Sequence, residues 1–239
     1  MHGLLDAVIL DRILGAPPDE LLSACLAASR YAARETEWSL PHAPKWLHVE
    51  QWDSALLSCM TNDERSLSIW LEHYPVAPRH YPPGTRACDR VLEHWVRQRA
   101  WPEDVALPKS LDSFESGFIV AIRGLAGRDA VECARGVRQM LESYARVDYR
   151  QVRGRWFFDL CLQAIAIQRM ARRERLQLDV SRDPPNDLEL VEAPDPVEPI
   201  VPWVPLPGIE LVAQQRDSIA WPSLYLNQPV REVVDAPVE

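Results

Sequence analysis

The sequence predicts a mostly α fold, a bundle or stack of about eight helices with a C-terminal Pro-rich extended strap carrying a few short strands. Three observations point there. Apolar residues recur at spacings of three and four as far as about residue 175, the period of amphipathic helices. Charge divides near residue 180: residues 1–180 carry 23 Lys and Arg against 24 Asp and Glu, whereas residues 181–239 carry 3 against 11. The same 59 residues hold 11 of the 21 prolines. The chain therefore divides into an all-α helical domain, 1–180, and an acidic strap, 181–239, packed on or beside it.

The first helix covers residues 4–14 and is stopped by Gly15 and the Pro17–Pro18 pair. The second runs over 19–34, with Leu22, Cys25, Leu26 and Ser29 on one stripe, and ends at a break rich in Trp and Pro (Trp38, Pro41, Pro44, Trp46). A third covers 49–60. Thr61 and Glu64 have the spacing of a capping box, in which side chains satisfy orphan backbone donors, and a fourth helix follows to residue 73. Four prolines make 74–84 a surface loop. The fifth helix covers 85–100 and stops before Pro102. Asp112 and Glu115 give a second capping signal, for a sixth helix to residue 125. A turn from Gly124 to Gly127 leads to a seventh over 128–146. The eighth, over 155–175, carries Trp156, Phe157, Leu160, Cys161, Ala164, Ile167 and Met170. It is apolar around much of its circumference, so it is expected at the centre of the bundle.

Beyond it the period changes. Leu176, Leu178 and Val180 alternate with polar residues, as do Leu188 and Leu190, and Ile209 and Leu211 flank Glu210; these read as short strand-like segments of a small sheet or of an extended strap. Prolines between them enforce extended backbone. Composition alone also fits a disordered tail. Trp203, Trp221, Leu224 and Tyr225 favour an ordered wrap, because burying each large side chain stabilises by roughly 1.5–3 kcal/mol.

Motifs for chemistry are sparse. The histidines lack the i, i+4 placement of a zinc site, and the five cysteines form no C-x-x-C pair, so neither a metal nor any other cofactor is expected. A G-x-S-x-G elbow, a P-loop and a G-x-G-x-x-G fingerprint are all missing, which argues against an enzyme. Residues 128–175 hold eleven arginines against six acids, a pattern nucleic-acid surfaces use. The net charge of −9 argues against that use and for docking of the acidic strap in cis. No run reaches the ~18 apolar residues of a membrane span. Residues 1–14 have no basic n-region and no uninterrupted apolar stretch, so a cytoplasmic location is expected.

The stretch Trp156-Phe157-Phe158-Asp159-Leu160, continuing through Ala164, Ile165, Ala166 and Ala171 into Leu176-Gln177-Leu178-Asp179-Val180, resembles the helical immunity proteins of bacterial polymorphic toxin systems. The group in question is filed as immunity protein 49. Asp112-Ser113-Phe114 and Leu125-Ala126-Gly127-Arg128-Asp129 are similar too, and the resemblance spans about residues 20–190. It implies a cytoplasmic antitoxin that binds a cognate toxin effector and blocks its active site, with no catalytic residues of its own. A nuclease toxin would present a basic surface, which clustered carboxylates complement. The expected partner-binding residues are therefore Asp187, Glu189, Glu192, Asp195 and Glu198, with Trp203 as an aromatic anchor. A non-catalytic helical adaptor, chaperone or scaffold for a secreted effector is the alternative.

Overall fold

A computed structural model describes residues 9, 11–42, 51–73, 83–105, 107–146 and 160–197, of which 34–42, 51–54 and 73 are described as backbone only. The described residues are mostly helical and contain no strand. After a helical turn at residues 11–13 come α1 (Pro18–His42), α2 (Gln51–Thr61), α3 (Glu64–His73), α4 (Pro83–Gln98), α5 (Ser113–Gly127), α6 (Ala130–Tyr144), α7 (Leu162–Arg173) and the short α8 (Leu188–Glu192).

The helix boundaries follow local chemistry. Asp112 caps α5 in a reciprocal capping box: its side chain accepts from the Glu115 N–H, while the Glu115 carboxylate accepts from the Asp112 N–H. The capping box expected at Thr61 is absent. The Thr61 hydroxyl donates back to the Leu57 carbonyl of its own helix at 2.8 Å, and Asp63 sits at the start of α3 instead, accepting from the Ser66 hydroxyl. Helix α1 is longer than the spacing predicts and runs through Trp38 to His42. Pro41 lies in its last turn, where it has no N–H for the carbonyl four residues back, and the helix ends one residue later.

Helices α2, α5 and α7 end alike, with a left-handed residue that is not glycine: Asn62, Arg128 and Arg175, at φ 59°, 53° and 61°. In each case the N–H beyond it reaches back five residues, from Asp63 to Ser58, Asp129 to Gly124, and Leu176 to Ala171. The α5–α6 turn is thus made by Arg128, not Gly127, and Asp129 then caps α6 through the N–H groups of Val131 and Glu132.

α5 and α6 form the closest-packed pair. An added Cβ at Gly136 would lie 2.3 Å from the Ala121 nitrogen, and one at Gly124 would lie 2.3 Å from the Cys133 nitrogen. The two backbones are in direct contact along this seam, and Arg123 bridges it to Glu132 at 2.5 Å. α7 lies at the centre, as its apolar circumference predicts: all ten residues from Leu162 to Ala171 are buried. It packs against α2, α5, α6 and α8.

Two strand expectations fail. Residues 176–180 have no regular structure, although Leu176, Leu178 and Val180 are half-buried against the core while Gln177 and Asp179 are exposed. The period of two thus describes an extended segment lying on the helices, with no partner strand among the described residues. Residues 188–192 form α8, because the Asp187 carboxylate caps the N–H groups of Glu189 and Leu190. The expected strand at 209–211 and the rest of the strap from residue 198 lie outside the described residues, as do 155–159 of the eighth predicted helix.

Candidate functional site

Among the described residues, the most heavily engaged group is Arg169 on α7. Its side chain is 0% exposed, and a guanidinium has five N–H donors. All five find acceptors. Nε donates to the Met60 carbonyl at 2.7 Å. One terminal nitrogen donates to the carbonyls of Leu190 at 2.6 Å and Ala193 at 3.1 Å, and the other to the Pro194 carbonyl at 3.0 Å and the Asp195 carboxylate at 2.5 Å. One turn on, Arg173 grips both Asp195 oxygens at 2.9 Å and also donates to the carbonyls of Cys59 and Met60. Arg172 adds the carbonyls of Val191 and Ala193.

The logic is that of helix ends. The last carbonyls of α2 and α8 have no partner within their own helices, and a helix C-terminus carries partial negative charge. Three arginines from the end of α7 supply both donors and positive charge there. They join α2, α7 and the start of the acidic segment into one clasp. Leu190 and Ala193 then complete the core beneath it.

A second tie lies at the other end of α8. Arg12 donates to both oxygens of Asp187 at 2.8 and 3.2 Å and to Glu189 at 2.5 Å. The hydrogen bond that Arg12 donates to Asp187 raises the Arg12 pKa above its ordinary value against the opposing effect of burial, so this cation is permanent. Gln168 and Asn186 exchange side-chain hydrogen bonds between α7 and the segment before α8.

Beside the clasp is a cleft of about 50 Å³, lined by Ser58, Cys59, Trp95, Arg99, Arg173 and Glu174 among others. It has room for a few waters and is far smaller than the roughly 300–1,000 Å³ of ligand pockets. Arg99 lies over the Trp95 ring at 4.2 Å. All five cysteines are buried and unpaired by disulfides. Burial pushes the Cys59 and Cys133 thiols up to about 12, against the lowering influence of Arg173 and Arg99 at Cys59 and with support from Asp129 and Glu132 at Cys133. Among the described residues, no three His, Cys, Asp or Glu side chains gather as a metal site would require, and no helix is long and apolar enough to cross a membrane.

The six expected partner-binding residues therefore separate. Asp187 and Asp195 face inward to arginines, as cap and clasp. Glu189 has a side chain 72% exposed although it touches Arg12, and Glu192 is exposed at the end of α8. Glu198 and Trp203 lie outside the described residues. Of the basic cluster, Arg169, Arg172 and Arg173 bind the acidic segment, Arg128, Arg135, Arg138, Arg146 and Arg175 are exposed, and Arg150, Arg153 and Arg155 lie outside the described residues. Sequence reasoning missed Arg12. Its signal was a lone basic residue in an otherwise acidic and apolar N-terminal stretch.

No family model, no curated protein and no solved structure matches the chain.

The clasp has a pH signature. Burial opposes ionisation of Asp195, but the hydrogen bonds and charges of Arg173 and Arg169 outweigh it and hold the carboxyl below its ordinary pKa. A carboxyl depressed in the folded state stabilises fully above its unfolded pKa of about 3.9, and that contribution fades as pH falls toward the lower folded value. Asp195→Asn is therefore expected to be less stable than wild type at neutral pH, by a margin that shrinks steadily below about pH 4. Urea unfolding of both proteins across a pH series measures the margin. A margin independent of pH contradicts the assignment.

Proposed function

We propose that the chain is an immunity-type protein that binds a cognate toxin effector and neutralises it by covering its active site. The clasp is the observation that carries this reading. It holds the first part of an acidic segment in a defined position on a rigid helical body, so an acidic surface is in place before any partner arrives. A preformed surface avoids the ordering cost that weakens binding by loose tails. Glu189 and Glu192 are its exposed carboxylates, while Asp187 and Asp195 support them from beneath. Exposed carboxylates complement the phosphate-binding surface of a nuclease and accelerate encounter with it. The sequence resemblance to helical immunity proteins supports the same reading, and with it a cytoplasmic place of action.

Co-expression with the effector encoded next to this gene tests it. The expected result is relief of toxicity together with a stable complex on a sizing column. If toxicity persists and no complex forms, the reading falls. A complex without relief of toxicity points to an adaptor or chaperone instead.

A further inference from the structure

The turn between the first helical residues and α1 is closed by hydrogen bonds and turns apolar side chains outward. The Gly15 N–H bonds the Arg12 carbonyl at 3.0 Å, and the Ala16 N–H bonds the Asp11 carbonyl at 2.9 Å. Gly15 takes φ +104°, a conformation that favours glycine. Arg12 closes the loop by donating to the Ala16 carbonyl, and the same side chain is fastened to Asp187 and Glu189. On this fixed turn Leu14 is 77% exposed and Ile13 42%. Single exposed leucines are ordinary, but two adjacent large apolar side chains on a pinned turn present a defined apolar tip.

The surroundings are acidic. Asp11, Asp19, Glu20 and Glu189 are all exposed, and Arg12, the one basic residue in 9–20 and 187–192, is largely buried and already faces two carboxylates. An apolar centre inside a charged rim is the anatomy of a protein-binding hot spot. We infer that the Ile13–Leu14 turn, with its rim of Asp11, Asp19, Glu20 and Glu189, docks a protein surface whose apolar hollow is ringed by Lys and Arg. Charge selects this occupant. A second copy meeting the same face by two-fold symmetry would set carboxylates against carboxylates. An anionic membrane would be repelled by the rim. The inference deepens the antitoxin reading and rests on it for the partner's identity, but the surface is testable without the effector.

The probe is a synthetic amphipathic helical peptide with leucines along one face and lysines elsewhere; its counterpart has glutamates in place of the lysines. Full-length wild type should bind the lysine peptide, more weakly as salt rises, and should not bind the glutamate peptide. Leu14→Asp should weaken binding about 30-fold, the loss typical of a hot-spot side chain, without lowering the melting temperature. Leu107→Asp, at an exposed leucine elsewhere, should bind as wild type does. Equal binding by Leu14→Asp and wild type, or no binding of the lysine peptide, overturns the proposal. So does wild-type self-association or vesicle flotation that Leu14→Asp abolishes, since the occupant is then a second copy or a membrane. The effector separates the two claims. An effector neutralised equally well by Leu14→Asp leaves the antitoxin reading standing and removes this surface from it. An effector left toxic by wild type, with the peptide result intact, does the reverse.

Discussion

Replacing Arg169 with methionine is expected to lower unfolding stability by about 3–5 kcal/mol, the scale seen when one partner of a buried, hydrogen-bonded ion pair is removed. Methionine fills much of the volume but supplies no donor. Four carbonyls, from Met60, Leu190, Ala193 and Pro194, would lose a bond, and the Asp195 carboxylate would keep only Arg173. Arg169→Lys should fall between the two, because an ammonium has three donors from a single point where the guanidinium spreads five over a plane. Urea denaturation measures the loss, and limited proteolysis should find new cleavage within 186–197. Asp195→Asn placed on Arg169→Met should cost less than it does alone, since the carboxylate's fully buried partner has already gone. If Arg169→Met proves as stable as wild type, the clasp does not hold the acidic segment.

The second large effect is expected at the α5–α6 seam. Gly136→Ala improves intrinsic helix propensity by about 1 kcal/mol, so an isolated helix would gain from it. In the protein the new methyl would meet the nitrogen of Ala121 at 2.3 Å and the carbonyl of Gly117 at 2.5 Å, both backbone atoms that move only if the whole helix moves. A net loss of about 3 kcal/mol, the upper part of the overpacking range, is expected from the urea midpoint. Gly127→Ala is the control. Nothing lies within 4 Å of its added Cβ, and the residue is exposed in the last turn of α5, so it should be neutral or gain about 0.4–1 kcal/mol. Equal effects at the two glycines would mean that the helices are not in backbone contact.

What the sequence made legible was local. The Asp112–Glu115 box lies within four residues, and seven of the ten buried residues of α7 are apolar and announce themselves by composition. Errors arose where two local signals competed. Thr61 and Asp63 are both good caps, and only the fold shows that the Thr61 hydroxyl is held by its own helix. Leu188-Glu189-Leu190 alternates like a strand, yet Asp187 before it is a helix cap, and the cap prevails in so short a segment. The clasp was half legible. Eleven arginines beside an acidic strap suggested docking in cis, but most acceptors are carbonyls, which every residue has and no side-chain pattern marks. The bond from Arg169 to Met60 joins residues 109 apart, and nothing in either neighbourhood names the other. For the same reason Asp187 and Asp195 read like Glu189 and Glu192, although the first pair faces inward and the second outward.

The buried cysteines give the folded chain an internal clock. A thiol reacts as its thiolate, and with Cys59 and Cys133 pushed up to about 12 and sealed from water, almost none is present at neutral pH while the fold is closed. Alkylation must wait for an opening, so its rate counts openings. Cys59 lies under the arginine clasp and Cys133 in the helix seam, and the order in which they become labelled reports which end of the molecule yields first.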